Sequence, residues 1–373
     1  MGIKVGLVGL PNVGKSTLFN ALTKSSIPAE NFPFCTIDPN VAITPVPDAK
    51  LERLAKIFGS QKLIPSTVQF VDIAGLVRGA SKGEGLGNKF LSHILEVDLV
   101  VHVLRCFESK DIVHVENSVD PMRDFQTILY ELMFKDLESL EVREAKIAQL
   151  LKKLGSDPKI KAALTAEADL VTAAKKAIND FDPKAVRKIS LAAHEQGFDF
   201  ANLLSAKNFL IAANVDEDDM VENRYKNNLQ FQKLVAEFGA ESVIPVCAKI
   251  EAELCVLPEE EALEMREALG FDQIGLAALT QAAFTNLGMI SFFTCGPKEA
   301  HSWPIKKGIT VQKAAGEIHS DLERGFIRAS VYNAADIFEF GTEDKLKELG
   351  RLRTEGKEYI VQDGDVLNIR FNV

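Results

Sequence analysis

The chain holds 373 residues with a net charge of −10, which leaves room for two or three domains and a sizeable core. The acidic balance excludes an all-over basic coat for nucleic acid, so no DNA partner is expected, although a local basic face is still allowed. No apolar run is long enough to span a membrane and no signal peptide is legible. The five cysteines (Cys35, Cys106, Cys247, Cys255 and Cys295) lack metal-ligand spacing, so a cytoplasmic chain with reduced thiols is expected.

In chain order, Ile3–Val8 reads as a short buried strand. It runs into Gly9-Leu-Pro-Asn12-Val13-Gly14-Lys15-Ser16-Thr17, a full match to G-x-x-x-x-G-K-[ST], and Lys15 to Lys24 reads as a helix. A strand, a glycine turn and a helix N-terminus aim backbone N–H groups at an anion, and the helix dipole adds positive potential. Asn12, Val13, Gly14, Lys15, Ser16 and Thr17 are therefore the expected phosphate cradle. Lys15 supplies charge for the β- and γ-phosphates, and the Ser16 hydroxyl is placed to ligate Mg²⁺.

Thr36, in Asn31-Phe-Pro-Phe-Cys-Thr36, is the candidate to complete the Mg²⁺ shell when a γ-phosphate is present. The strand Val68-Gln-Phe-Val71 ends in Asp72-Ile-Ala-Gly75. There the Asp72 carboxylate would hold Mg²⁺ through water, and the Gly75 N–H would bond the γ-phosphate and report its loss. Val97-Asp-Leu-Val-Val-His-Val-Leu104 reads as a further buried strand.

From about residue 125 the period changes. Met133, Leu140, Ile147 and Leu154 recur every seven residues, with Leu137 and Leu151 beside them, which predicts a long helix with a coiled-coil-like seam. Gly155-Ser-Asp-Pro158 is expected to end it, and Ile160, Leu164, Val171 and Ile178 outline a returning helix. Residues 125–205 thus read as a helical hairpin inserted into the nucleotide domain. Between 143 and 188 Lys and Arg outnumber the acids, which fits either a solvated face or a surface for phosphate backbone.

Phe209-Leu-Ile-Ala-Ala213 is the next strand, and Asn214-Val215-Asp216-Glu217 follows it. A GTPase would carry Asn-Lys-x-Asp here, with the Asp accepting two guanine N–H bonds. Glu217 has one methylene more, which moves the carboxylate off the guanine edge, while Val215 could cover a base face; ATP is therefore favoured over GTP. Val246-Cys247-Ala248-Lys249 looks like the last base-contacting loop, with backbone N–H groups that can meet the base edge.

Together these motifs resemble the YchF subfamily of Obg-type translation-factor GTPases. The glycine-rich run Asp72-Ile-Ala-Gly-Leu-Val-Arg-Gly-Ala-Ser-Lys-Gly-Glu-Gly-Leu-Gly-Asn-Lys-Phe90 resembles its second switch, and Ile360-Val-Gln-Asp-Gly-Asp-Val-Leu-Asn-Ile-Arg-Phe-Asn-Val373 resembles the end of its TGS domain. The resemblance implies an α/β chain. Its doubly wound, mostly parallel P-loop sheet occupies 1–124 and 206–287, the coiled-coil hairpin is inserted at 125–205, and a β-grasp TGS domain occupies 288–373. It also implies ATP hydrolysis and binding to the ribosome, either the 70S particle or its large subunit, with ribosomal RNA in contact and the chain itself monomeric. An Obg-type GTPase with Glu217 still reading guanine, and a ribosome- or RNA-binding module with incidental hydrolysis, stand as alternatives.

In the third domain Ile290-Ser-Phe-Phe293, the run 325–332 and a terminal pair joined at Asp363-Gly364 read as strands, and Val311–Ile318 as a helix. His301, Trp303, Lys306, Lys307 and His319 are candidates for a partner-facing surface there. Many P-loop switches place a Gln after Asp-x-x-Gly to orient the attacking water; Leu76 stands there instead. His114, expected on a mobile loop and also indicated by the resemblance, is the candidate to approach the γ-phosphate, while His102 reads as a core histidine. Asn12 is the candidate ligand for a K⁺ that would supply the charge an arginine finger gives elsewhere.

Overall fold

The computed structural model describes residues 3–26, 40–73, 86–109, 114, 118–153, 157–270 and 275–372. Thr36, Cys35, Gly75 and Leu76 lie outside the described residues. Contacts group the chain into two units: residues 4–21 with 71–275, and residues 1–3 and 22–70 with 276–373. These cuts fall elsewhere than the sequence boundaries at 124, 205 and 287.

The elements in chain order begin with β1 (Ile3–Val8), α1 (Lys15–Lys24), β2 (Val41–Pro45), α2 (Ala49–Phe58), β3 (Lys62–Ile64) and β4 (Thr67–Asp72). Then come α3 (Leu86–Glu96), β5 (Leu99–Arg105), α4 (Pro121–Lys153), α5 (Pro158–Asn179) and α6 (Pro183–Glu195). Next are β6 (Phe209–Asn214), α7 (Glu217–Met220), α8 (Leu229–Phe238), β7 (Val243–Val246), α9 (Ala248–Leu254), α10 (Glu259–Leu269) and α11 (Gly275–Asn286). The chain closes with β8 (Met289–Cys295), β9 (Glu299–Lys306), α12 (Val311–Ile318), α13 (Ser320–Arg324), β10 (Phe326–Asn333), α14 (Ala334–Phe340), α15 (Glu343–Glu348), β11 (Arg353–Glu355) and β12 (Asp365–Phe371).

In the first unit β1, β5, β6 and β7 are parallel neighbours, in registers such as Val5↔Leu99, Val101↔Leu210 and Ala212↔Ile244. All seven residues of β5 are buried, as a central parallel strand requires. His102 sits inside it against Phe125 and Phe209, and burial pushes its pKa down to about 3. It is a core histidine, as expected. At the other edge the Ile73 N–H donates to the Leu7 carbonyl, which sets the Asp72 end of β4 beside β1. The C-terminal ends of the parallel strands therefore share one edge, where open α/β sheets bind ligands.

The inserted helices follow the heptad reading, except that Ile160 in the first turn of α5 is exposed; Leu154 lies outside the described residues. Met133, Leu140 and Ile147 on α4 are buried, as are Leu164, Val171 and Ile178 on α5. Each such side chain contributes about 2 kcal/mol on leaving water. α4 ends at Lys153, ahead of Gly155-Ser-Asp-Pro158 as expected, and the same stretch also starts α5: Asp157 caps the Lys159 and Ile160 N–H groups and Pro158 occupies the first turn. A third helix, α6, follows under the same device, Asp182-Pro183, so the insert is three helices rather than a simple hairpin. Arg143 on α4 bonds the buried Glu167 of α5 at 2.6 Å. Asp136 accepts the Leu204 and Ser205 N–H groups at 2.8 Å and ties residues 204–206 to α4.

The second unit is built on a sheet in the order β11-β10-β12-β8-β9-β3. Adjacent residues serve opposite faces, as the strand period demands: Phe292, Val331 and Leu367 pack with Val311 and Ala315 of α12, whereas Phe293, Tyr332 and Val366 pack with Leu51 and Leu54 of α2. The strand–helix–strand pattern is the expected β-grasp, but its last strand is joined differently. Asp363-Gly364 is not a hairpin turn; β12 instead runs antiparallel to β10 and parallel to β8. The Asp363 carboxylate accepts the Ser291 N–H at 3.1 Å, and Gly364 takes φ +85°, which suits glycine. Trp303 stacks on His301 at 3.6 Å and donates its Nε1–H to Thr294 at 2.9 Å.

Candidate nucleotide-binding site

The phosphate side is made by the loop between β1 and α1. Asn12 and Gly14 both take left-handed backbone, at φ 65° and 96°. A Cβ on Gly14 would overlap the Asn214 amide, and one on Gly9 would lie 2.8 Å from the Val103 carbonyl, so both glycines are needed for close approach. The Ser16 and Thr17 side chains are exposed at the N-terminus of α1. Val13 is buried and serves through its backbone.

Lys15 Nζ bonds Asp72 Oδ1, with side chains 10% and 22% exposed. The sequence places both at the site, and the structure brings them into direct contact. The Ser16 hydroxyl and the Asp72 carboxylate are hard oxygen donors of the kind Mg²⁺ takes, and Mg²⁺ is held by a few such groups plus phosphate and water rather than by a protein cage. The donor set therefore fits this ion.

The base side lies at the ends of β5, β6 and β7. A pocket of about 330 Å³ is lined by Asn12, Gly14, Thr17, residues 107–109, residues 214–217 and residues 247–249. Asn214 is buried and faces inward rather than towards a ligand. Its Nδ2 donates to the Val13 carbonyl at 2.9 Å, and its Oδ1 accepts the Ala248 N–H at 3.0 Å. It thus clamps the phosphate loop to the base loop, and the Ala248 amide, expected to meet a base, is already engaged. Val215 borders the pocket but is only 1% exposed, so its side chain belongs to the core rather than covering a base. Cys247 is also buried, and burial pushes its thiol up to about 11, which leaves it inert.

Glu217 opens α7, with its N–H held by the Asp216 carboxylate at 2.8 Å. Its own carboxylate pairs with Lys249 Nζ at 2.6 Å on the pocket rim. The hydrogen bond to Glu217 raises the Lys249 pKa, so the ammonium stays charged at neutral pH. Phe107 carries no motif and nothing in the sequence singles it out, yet it lines the pocket. The buried Arg105 lies 4.6 Å from its ring and donates to its carbonyl at 3.0 Å, which holds the aromatic face at the strand end.

His114 is not a solvent-facing loop histidine. It is 5% exposed, and its Nε2 bonds the Asp124 carboxylate in the first turn of α4 at 2.9 Å. Arg123 contacts the other Asp124 oxygen at 3.2 Å. The structure pairs Lys15 with Asp72 and gathers Asn214, Glu217 and Lys249 around the pocket; it places His114 in a separate buried pair.

A phosphate loop at the first strand–helix turn, a carboxylate at the end of β4 and a base pocket at the ends of β6 and β7 define a P-loop nucleoside triphosphatase of the translation-factor kind. Residues 4–136 match the family model MMR_HSR1, described as a 50S ribosome-binding GTPase. Residues 289–372 match the model YchF-GTPase_C, described as a protein of unknown function (DUF933). The ribosome-binding ATPase YchF of Haemophilus influenzae is 46% identical and that of Bacillus subtilis 44%, each over the whole of both chains. The solved structure of the Schizosaccharomyces pombe YchF GTPase is 32% identical, covers 99% of this chain and 98% of its own, and superposes with a TM-score of 0.85. The chain belongs to the YchF family.

Proposed function

We propose that the chain is a ribosome-binding ATPase that hydrolyses ATP to ADP and phosphate and uses its nucleotide state as a switch. The observation that carries the choice of base is the Glu217–Lys249 pair. Guanine offers two N–H donors to an acidic side chain, and a Glu217 carboxylate already neutralised by Lys249 is a poor acceptor for them. Adenine offers a donor at N6 and an acceptor at N1, and asks no carboxylate of the pocket. The Phe107 ring supplies a face for either base. Ribosome binding is supported by the names of the curated relatives, which span the chain's full length.

For hydrolysis, Lys15 takes the β- and γ-phosphates and thereby releases Asp72, which with Ser16 and Thr36 would hold Mg²⁺. Bound there, Mg²⁺ supplies charge neutralisation for the phosphoryl group in transfer. The Gly75 N–H reports the γ-phosphate. With Leu76 unable to orient water, His114 takes that role after leaving Asp124, and Asn12 helps ligate K⁺ at the phosphate loop. A competition titration with ATP and GTP in Mg²⁺ and K⁺ tests the base choice: ATP should bind at least about tenfold tighter, ~1.4 kcal/mol. Tighter GTP binding would show that Glu217 leaves Lys249 to read guanine. Equal hydrolysis in Na⁺ and K⁺ would remove K⁺ from the account. Co-sedimentation with ribosomes that responds to the nucleotide and is altered by Lys15→Ala supports the switch; sedimentation indifferent to both would leave only a binding module.

A further inference from the structure

A second concavity of about 600 Å³ lies between α3, α4 and residues 200–204, away from the nucleotide pocket. Its floor is apolar, made by Leu91, Leu95, Leu140, Val142, Phe200 and Leu203. Leu95 and Val142 are left 52% and 72% exposed. Apolar side chains gathered in a hollow and left in water mark an interaction site more strongly than the same residues scattered singly.

Three cations line the rim, two of them in ion pairs, and helix periodicity brings them to one side. Lys135, Ser139, Val142, Arg143 and Lys146 fall on one face of α4, while Glu141 and Glu144 turn away from it. Glu138 stands at the edge, paired with Lys135 at 2.8 Å in solvent, where such a pair holds little charge in place. Among the described lining residues the one acid, Asp136, is buried and directs its oxygens to Leu204 and Ser205. Arg143 is braced by Glu167, and Lys146 makes no ion pair among the described residues.

We propose that this groove docks an acidic amphipathic peptide segment of a protein partner, with apolar side chains on the floor and carboxylates against Lys135, Arg143 and Lys146. A nucleic-acid backbone would meet the cations but leave the apolar floor unfilled. An amphipathic helix or strand with an acidic flank matches both features. The groove shares no residue with the nucleotide pocket, so the inference stands apart from the choice of base.

The test uses the full chain and a fluorescein-labelled peptide with leucines at i, i+3, i+4 and i+7 and glutamates elsewhere. A twin with lysines for the glutamates and an oligo(U) RNA serve as comparisons, all read by fluorescence anisotropy. The glutamate peptide should bind, and Val142→Glu and Lys146→Glu should each weaken it at least about tenfold while leaving nucleotide affinity unchanged. Both positions face solvent, and circular dichroism checks that the variants fold. Equal binding of the lysine twin, no binding of the glutamate peptide, or no loss in Val142→Glu overturns the proposal. So does oligo(U) binding that is lost in Lys146→Glu, which would make the face an RNA surface.

Discussion

The phosphate side and the base side of the nucleotide pocket sit on the same sheet edge but are built on different principles. The phosphate side consists of backbone in forced conformations, Asn12 and Gly14 at positive φ, with one lysine on a carboxylate. The base side consists of side-chain contacts, most of them between residues far apart in the chain: Glu217 with Lys249 and the base loop with Asn214, while Phe107 rests on Arg105 two residues before it. Phosphate recognition is therefore written in one contiguous stretch, whereas base choice depends on pairs scattered over the chain. A motif can promise a triphosphate site while saying little about which base it takes.

The sharpest way to separate the two sides is Lys15→Ala. It should weaken ATP and GTP alike by about 3 kcal/mol, on the order of a hundredfold, because the phosphates are common to both. Isothermal titration that shows unequal losses would mean that Lys15 also reaches towards the base.

Acid should take both sides down together, because His102 lies in β5 beneath them. Its pKa is lowered in the folded chain, so the unfolded chain binds the extra proton. Stability is complete above the unfolded value of 6.5 and falls as pH drops towards 3, by about 3 kcal/mol at pH 4. Urea unfolding at pH 7 and pH 4 reads this, and His102→Phe should flatten the part of the slope due to this residue.

Asn214→Ala tests the clamp that joins the two sides. It leaves the Val13 carbonyl and the Ala248 N–H without their partner, at a cost of about 2 kcal/mol of stability. A fall in Tm with weaker binding of both nucleotides is expected; an unchanged Tm would show that the two loops hold themselves.

The smallest effect is expected at the pair that sets the base. Lys249→Met frees the Glu217 carboxylate and should shift the ATP-to-GTP affinity ratio about fivefold towards GTP, an amount typical of an exposed pair. A ratio that does not move would place base choice elsewhere in the pocket.

What was legible in the sequence follows the same division. Gly14-Lys15-Ser16 and the buried face of α4 are local patterns, fixed by neighbours in the chain, and they fold as expected. Asp363-Gly364 carries the composition of a hairpin turn, but the partners of β12 are β8 and β10, far away in sequence, and they decide its pairing. Asp157-Pro158 has two local meanings, since a proline that cannot continue one helix is well suited to begin the next. Phe107 and the burial of His114 against Asp124 leave no trace in the sequence, because neither residue belongs to a motif and only the folded chain shows that one lines the pocket and the other is enclosed.

The contact between Lys15 and Asp72 has a thermodynamic consequence of its own. Each group is the other's counter-ion, so whatever takes one unbalances the other. A triphosphate that captures Lys15 leaves a bare carboxylate seeking a cation, and a cation that captures Asp72 leaves a bare ammonium seeking an anion. Anion and cation are thus linked as mutual activators by charge balance alone, with no movement of the backbone required. Because such linkage is reciprocal, the factor by which Mg²⁺ tightens ATP must equal the factor by which ATP tightens Mg²⁺.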